Sequence, residues 1–281
     1  MIDRDSVLKK VPLRANPLVG FAPKLHHFFF GLFLVQFALV WLNLWMPFPG
    51  FGDARWPNGV LLALTATTVL SSLTRQLPTQ NVLLASVIIM LIAGAIQTFG
   101  AKTSIPFGPF LYLPEIRQLL FGPLPWTVLI IWLVAVLTAR GVGRLILRPW
   151  RKARSYGFRL MGLTAGLVVV FDLGLEPFAT HVHHFWLSNP THAGLYWYGT
   201  PWVNFLGWAG GSLLILAFAT PSLINKKPVK QPPDFYPLIV WLPVNVLFAT
   251  GALTHQLWVA VAFVVAQCII VTILALRGAT W

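Results

Sequence analysis

Residues 157–177 read GFRLMGLTAGLVVVFDLGLEP, an apolar run that carries two acids near its end. Runs of about 17–25 mainly apolar residues are typical of helices that span a membrane. Asp172 and Glu176 are four residues apart, so both carboxyl groups lie on one face of that helix, one turn from each other. A charged side chain in hydrocarbon costs at least about 2.5 kcal/mol, so its presence there favours a functional role. The alternative is a pair of polar anchors that hydrogen-bond between helices.

The composition of the whole chain points to the same class of protein. Hydrophobic residues make up 57% of the 281 residues and charged residues only 10%, too few to cover a soluble domain of this size. We therefore predict an all-α, polytopic integral membrane protein that forms a single domain over residues 1–281. The first span is too long for a cleaved signal peptide and lacks a small-residue cleavage site. The predicted spans lie near residues 26–47, 58–75, 81–99, 124–146, 158–177, 201–223, 236–253 and 256–276.

Basic residues are distributed unevenly over the predicted loops. With eight spans and a cytoplasmic N-terminus, 17 of the 20 Lys and Arg residues fall on the cytoplasmic side. This is the asymmetry of the positive-inside rule, and it accounts for the net charge of +13 without a nucleic acid partner. We expect a multi-pass protein of the cell inner membrane with both termini in the cytoplasm. Residues 1–25 and the linker 226–234 are then cytoplasmic, and the basic block 144–159 contacts anionic membrane lipid.

The loop predicted between the third and fourth spans contains IPFGPFLYLP, residues 105–114. Three prolines and a glycine exclude a regular helix here, so the backbone is irregular and rich in aromatic side chains. Irregular backbone at membrane depth occurs only where protein buries it or water reaches it. The segment is therefore either an interfacial belt formed by Phe107, Phe110 and Tyr112 or part of a cavity wall.

A second polar region, on the same predicted side of the membrane, runs from Asp172 to Trp208. Asn204 lies at the start of the sixth span and can hydrogen-bond to a carboxyl or a water molecule across a helix interface. The tryptophans of this region either anchor the chain at the membrane interface or stabilise a cation on their ring faces. The single Cys268 lies within a span, which excludes a disulfide framework and a cysteine metal site.

Four histidines in this region raise the question of a metal; they are His181, His183, His184 and His192. Imidazoles with Glu176 nearby satisfy Zn or Fe on ligand type alone, so a mixed metal site is one interpretation. Membrane di-iron hydroxylases and desaturases, however, carry several separated histidine boxes, which this chain lacks. We interpret the histidines as interfacial residues and predict no metal site. A prenyltransferase-like Mg–diphosphate site is excluded because it needs a second acidic cluster, which the sequence does not contain.

Three motifs, in this order, resemble the carotenoid hydratases of the CruF type, which act on gamma-carotene or bisanhydrobacterioruberin. They are PFGPFLY at 106–112 with LPW at 124–126, DLGLEP at 172–177, and YGTPWVNFLGW at 198–208. The resemblance is that of a divergent member of this group. Glu176 stands where the family usually has Asp before the proline, and Gln97 stands where a glutamate is common.

The resemblance implies that the protein adds water across the terminal 1,2 double bond of an acyclic carotenoid by acid catalysis, giving a tertiary alcohol. Asp172 is then the proton donor and Glu176 its partner, with interchangeable roles, because a protonated carboxyl can form the carbocation and an ionised one can activate water. Asn204 and Tyr112 orient water or the carboxyls. The aromatic residues expected to bind substrate are Phe107, Phe110, Trp197, Tyr198, Trp202 and Trp208.

This chemistry needs neither a cofactor nor a metal, and the expected partner is a lipophilic carotenoid substrate that enters from the bilayer. Two alternatives stay open. A lycopene-cyclase-like enzyme captures the same cation with an internal double bond instead of water. A non-enzymatic carotenoid-binding subunit of a membrane complex uses the aromatic residues but not the acids.

Overall fold

A computed structural model of the protein describes residues 17–51, 56–113, 116, 119–121, 124–188, 195–224 and 232–281. His192, residues 1–16 and residues 226–231 of the predicted linker lie outside the described residues. The long helices are α1 (Pro17–Trp45), α2 (Trp56–Thr74), α3 (Thr79–Thr103), α4 (Trp126–Ile146), α5 (Tyr156–Pro177), α6 (Trp202–Ala219), α7 (Tyr236–Thr254) and α8 (Trp258–Ala279).

Each of the eight predicted spans corresponds to one of these helices, so the prediction of an all-α, polytopic membrane protein is confirmed. Within the described part of the chain, seven helices are long and apolar enough to cross a membrane. The helix that does not meet this criterion is α2, which contains 19 residues and buries several Thr and Ser side chains. Helix α1 begins at Pro17, inside the segment 1–25 that was predicted to precede the first span.

Helix α4 lies at the centre of the bundle. In its central apolar window 72% of the residues are buried, compared with 17% in α1 and 28% in α8. It packs against α2, α3, α5, α7 and α8, whereas α1 packs mainly on α2, and α8 packs on α7 and α4. Exposed Leu, Ile and Val side chains on α1, α3 and α8 give the bundle an apolar outer surface, as contact with lipid requires.

Short strands connect the helices at the end of the bundle that contains the two predicted polar regions. They are β1 (Phe110–Tyr112), β2 (Leu119–Phe121), β3 (Leu124–Pro125), β4 (Trp186–Ser188), β5 (Tyr196–Trp197) and β6 (Thr200–Pro201). Strand β1 pairs antiparallel with β4, so Tyr112 lies opposite Trp186. The Pro-rich loop and the segment after the acidic helix are thus joined by backbone hydrogen bonds.

Helix α5 ends in a way that fixes the loop beyond it. Pro177 has no N–H, so the carbonyl of Leu173 loses its normal partner in the helix. The indole Nε1 of Trp197 donates to that carbonyl instead, at 2.8 Å. After Pro177 the chain continues through a π-helical segment, Phe178–Val182, before it enters β4. The proline therefore both ends the regular helix and provides an attachment point for β5.

Candidate active site

The two acids of α5 are buried side by side inside the bundle. Asp172 is 0% exposed and Glu176 is 3% exposed. The amide Nδ2 of Asn204, on α6, donates to Asp172 Oδ2 at 2.9 Å and to Glu176 Oε1 at 3.1 Å. The amide has two N–H hydrogens, so it can serve both carboxyls at once. One side chain from α6 therefore holds the pair together.

Glu176 receives further hydrogen bonds from neutral donors. The hydroxyl of Thr200 donates to Glu176 Oε2 at 2.8 Å, and the indole Nε1 of Trp186 donates to the same oxygen at 3.1 Å. Asp172 differs, because its Oδ1 has no hydrogen-bond partner among the described residues. Both oxygens of Glu176 thus act as acceptors, whereas one oxygen of Asp172 remains available to carry a proton.

A small cavity of about 30 Å³ adjoins Glu176. A polar cavity of this size can hold a water molecule. Glu176 lines the cavity and Asp172 does not, so the two carboxyls differ in their access to a reacting molecule. The residues that line it are Gln97, Phe107, Phe110, Tyr112, Val128, Ile131, Glu176, Trp186, Ser188, Asn204 and Trp208.

Tyr112 and Gln97 form a second polar contact in the same cavity. The phenol of Tyr112 donates to Gln97 Oε1 at 2.9 Å, and both side chains are buried. Burial, and secondarily the charge of Glu176, raise the pKa of Tyr112 far above its usual value of 10.0. Tyr112 therefore stays a neutral phenol that can accept a hydrogen bond from water while it donates to Gln97.

Phe107 is fixed between two helices by glycines. A Cβ added at Gly100 on α3 would lie 2.6 Å from its ring, and one at Gly207 on α6 would lie 2.7 Å from it. The ring can reach the cavity only because both positions lack a side chain. Trp208 stacks on Trp132 of α4 with ring centroids 3.9 Å apart, which orients it as part of the cavity wall.

Three of the aromatic residues predicted to bind substrate are not among those that line this cavity. Trp197 is bonded to the α5 backbone, as described above, and stacks edge-on against Phe263 of α8. The Tyr198 hydroxyl accepts a hydrogen bond from the backbone N–H of Ala260. Trp202 is 44% exposed and packs against Phe205. These contacts attach the loop to neighbouring helices. A sequence pattern alone cannot distinguish an aromatic residue with such a structural contact from one that binds substrate.

The described histidines that follow α5 contact Thr180 or an aromatic ring. A ring nitrogen of His181 bonds to the Thr180 hydroxyl, and one of His184 bonds to the Thr180 carbonyl. His183 stacks on Phe185, and burial lowers its pKa to about 4. Among the described residues, no group of three or more His, Cys, Asp or Glu side chains could hold a metal ion.

A larger cavity of about 400 Å³ lies between α2, α4, α5 and α7. Its walls are mainly apolar and include Phe171 and Leu175, which neighbour the acids on α5, and Phe178, which follows that helix. Ile131 of α4 lines both this cavity and the small polar one. The polar cavity therefore adjoins an apolar space that is large enough for part of a hydrocarbon chain.

Three side chains of the site were not singled out for a role from the sequence. Gln97 was noted only as a departure from the related proteins, yet it binds Tyr112. Thr200 belongs to a quoted motif, but spacing alone does not show that its hydroxyl reaches α5. Trp186 gave no signal, because its contact with Glu176 depends on the pairing of β1 with β4.

Comparison with known proteins places the chain in a family. The bisanhydrobacterioruberin hydratase of Haloarcula japonica is 32% identical over 136 residues, which are 48% of this chain and 44% of that protein. The match thus spans less than half of the length of that relative. No solved structure gives a significant match. A family model described as carotenoid biosynthesis protein matches residues 58–274, nearly the whole of α2 to α8. The chain therefore belongs to the carotenoid biosynthesis protein family.

Proposed function

We propose that the protein is a carotenoid hydratase, a hydro-lyase that adds water across the terminal 1,2 double bond of an acyclic carotenoid end group. The observation that carries this proposal is the buried carboxyl pair, one member of which faces a cavity of the size of a water molecule beside an apolar cavity. The name of the hydratase in Haloarcula japonica supports the same reaction.

The reaction requires one proton to leave the protein and one to return. A proton from the carboxyl pair adds to C2 of the alkene, and the electrons of the double bond form the new C–H bond, which leaves a tertiary cation at C1. Water adds to C1, and its proton returns to the ionised carboxyl. Atoms balance as the gain of one water molecule, and no electrons are transferred to an external acceptor.

The hydrogen bonds divide the two roles. Asp172 Oδ1, which has no partner among the described residues, is where the pair can hold its proton. Glu176 adjoins the cavity, so it is the member of the pair placed to pass that proton to the alkene and to take one from the attacking water, which restores the pair. Asn204 donates to both carboxyls, so the two groups lie close enough to titrate as a coupled pair that shares this proton.

The aromatic walls stabilise the cation and the polyene. Phe110, Tyr112, Trp186 and Trp208 line the cavity at Glu176, and an aromatic face near a cation contributes about 0.5–2 kcal/mol when water is excluded. The apolar cavity beside α5 holds the chain next to the reacting end, and the rest of a long polyene lies in the bilayer. The substrate enters laterally, and no cofactor takes part.

The test is expression in a bacterium that accumulates an acyclic carotenoid, followed by mass analysis of its pigments. Wild-type protein should yield product heavier by one water molecule. Product of unchanged mass but altered spectrum would indicate a cyclase, and bound pigment without turnover would indicate a carotenoid-binding subunit.

Variants of the acids connect the activity to the pair. Asp172→Asn and Glu176→Gln should each lower turnover by about 10²–10⁴-fold, because an amide can neither donate the proton nor accept it from water. Glu176→Asp should retain activity. Gln267→Met, which removes a buried amide of α8 outside the cavity lining, is the control for general loss of polar contacts. Normal turnover in both amide variants, at wild-type abundance in the membrane, would show that the pair is structural.

A further inference from the structure

The end of the bundle opposite to the carboxyl pair contains a cavity of about 450 Å³. Tyr156, the first residue of α5, lines it, whereas Glu176 is at the other end of the same helix. At 1.5 Å per residue, α5 separates the two sites by about 30 Å. This cavity therefore belongs to neither of the two spaces near the acids.

Its lining contains four arginines: Arg140, Arg144, Arg148 and Arg151. Arg140 and Arg144 lie one turn apart on α4, and Arg148 and Arg151 follow in and just after the 3₁₀ turn that comes next. Among the described residues that line the cavity, Asp234 is the only acid. We call this cavity the arginine pocket. It carries an excess of positive charge.

Asp234 is engaged by neutral donors. Its Oδ2 accepts hydrogen bonds from Ser72 and Gln76, and its Oδ1 accepts one from the backbone N–H of Tyr236. Arg144 donates to the Oε1 of Gln76 at 3.1 Å, so it meets the carboxylate only through that amide. These contacts hold Asp234 and Arg144 in place on one wall without removing the excess charge of the pocket.

Arg140 is the most deeply buried of the four arginines, at 6% exposure. Its Nη2 donates to the carbonyl of Leu223 at 2.8 Å. A carbonyl satisfies one N–H but does not neutralise a buried cation, and a buried charge is stable only when it is paired and hydrogen-bonded. An anion that enters the cavity would therefore stabilise the buried guanidinium group of Arg140.

The other walls of the pocket are apolar. Leu73, Leu137, Leu160 and Leu223 contribute side chains from α2, α4, α5 and the turn after α6. The pocket lies where α4 ends and α5 begins, and the ends of membrane-spanning helices are expected near the lipid headgroups. Its lining thus combines a cationic side with an aliphatic side, as a ligand with an anionic head and an apolar chain requires.

We propose that the arginine pocket binds the phosphate group of an anionic amphiphile, the headgroup of a membrane phospholipid. The guanidinium fork matches two phosphate oxygens, which makes arginine the preferred side chain for this group. Phosphate is bound by the arginines, and the adjoining glycerol and acyl carbons lie against the leucines. This specific site is distinct from the general attraction of a basic loop to an anionic surface.

The experiment uses the full-length protein in a neutral detergent. Native mass spectrometry should show one phosphatidylglycerol retained at lipid concentrations where phosphatidylcholine with the same acyl chains is lost. The double variant Arg144→Gln/Arg148→Gln should bind phosphatidylglycerol at least about tenfold more weakly, since each charge-assisted hydrogen bond corresponds to about one order of magnitude. The double variant Arg144→Lys/Arg148→Lys keeps the charge but loses the planar guanidinium groups. Its affinity for phosphatidylglycerol should lie between those of the wild type and of the glutamine variant.

The control is Arg154→Gln/Arg159→Gln, which removes two exposed charges from the same end of the molecule but not from the pocket. It should retain the lipid as the wild type does. Equal loss in both glutamine double variants would overturn the proposal, because the binding would then be surface attraction. Equal retention in both would overturn it as well.

A second arm distinguishes the source of the phosphate. Inorganic phosphate, at constant ionic strength, should not displace phosphatidylglycerol at millimolar concentration. If inorganic phosphate displaces the lipid from the wild type but not from the Arg144→Gln/Arg148→Gln variant, the pocket binds phosphate. The assignment of that phosphate to a lipid would then be overturned. If that variant does not fold, Arg151→Gln, at an exposed position, replaces it, and a loss of lipid smaller than threefold would overturn the site.

Discussion

The two ends of the helix bundle differ in the charged groups that they contain and in how those groups are surrounded. At one end Asp172 and Glu176 are buried and receive hydrogen bonds only from an amide, a hydroxyl and an indole among the described residues. At the other end the arginines line a cavity of about 450 Å³ in which Asp234 is bonded by neutral side chains and by a backbone N–H. In the contacts just named, the carboxyl groups at both ends are bonded by neutral donors.

Under the two proposals above, this difference explains how a chain with few charges keeps them reactive. An acid paired with an arginine would be held ionised and could not deliver a proton, whereas neutral donors hold its position and leave the proton mobile. An arginine paired with a carboxylate would be unavailable to an external anion. The roughly 30 Å length of α5 keeps the two groups apart. The following predictions test that separation, beginning with the largest effect.

The first prediction places the two ends on opposite sides of the membrane. Reporter fusions after Lys152 and after Trp281 should give a cytoplasmic signal, and a fusion after Ser188 should give a signal from outside. The result should be all-or-none, because α5 separates Lys152 from Ser188 and the basic residues favour the cytoplasm. The same signal from Lys152 and Ser188 would show that α5 does not cross the membrane.

The second prediction concerns the shared amide at the acid end. Asn204→Leu should lower turnover strongly and destabilise the protein by about 1–2 kcal/mol, because both carboxyls lose their common donor between α5 and α6. The matched control is Asn245→Leu on α7, where a buried amide bonds to the Trp241 carbonyl and to Gln267. It should lower the Tm in detergent by a similar amount while turnover stays within about twofold. Equal losses of turnover would show that Asn204 acts only in folding.

The third and smallest effect concerns His183. Burial lowers its pKa from the usual 6.5 to about 4, so the folded protein keeps it neutral where the unfolded chain binds a proton. Its contribution to stability is therefore present above pH 6.5 and is lost as the pH falls from 6.5 towards 4. His183→Gln should have a smaller decrease of Tm between pH 7 and pH 5 than the wild type.

Turnover tests whether His183 and His184 bind a catalytic metal. His183→Gln and His184→Gln together should leave activity within about twofold, and chelators should not inhibit. Activity that is lost in the double variant and restored by added Zn or Fe would contradict this expectation and indicate a metal site.

Much of the fold could be predicted from the sequence, because a membrane-spanning helix is recognised from a local run of apolar residues. Apolar runs indicated the eight long helices, although α2 is less apolar than the others, and the proline and glycine content indicated the irregular loop around Gly108. Length and composition do not fix packing, so neither the central position of α4 nor the pairing of Phe110 with Ser188 could be predicted. The start of α1 at Pro17 was also missed, since polar and basic residues there do not prevent a helix.

The candidate site was predictable only in part for a related reason. Helical periodicity placed Asp172 and Glu176 on one face, and a polar residue at the start of an apolar helix indicated Asn204. Trp197 and Trp202 carry the same chemical signal as Trp208, but only Trp208 lines the cavity. What separates them is the direction of each side chain in the folded molecule, which depends on contacts between distant segments.

The bond from Trp197 to the carbonyl freed by Pro177 has a consequence for how these positions can vary. An alanine at 177 would restore the N–H that Leu173 normally receives and would make the indole donor redundant. A phenylalanine at 197 in the present chain would leave that carbonyl without its donor. In Pro177→Ala, by contrast, the same phenylalanine should be nearly neutral. Positions 177 and 197, twenty residues apart, should therefore change together in related sequences, and Glu176, which directly precedes the proline, is subject to the same linkage.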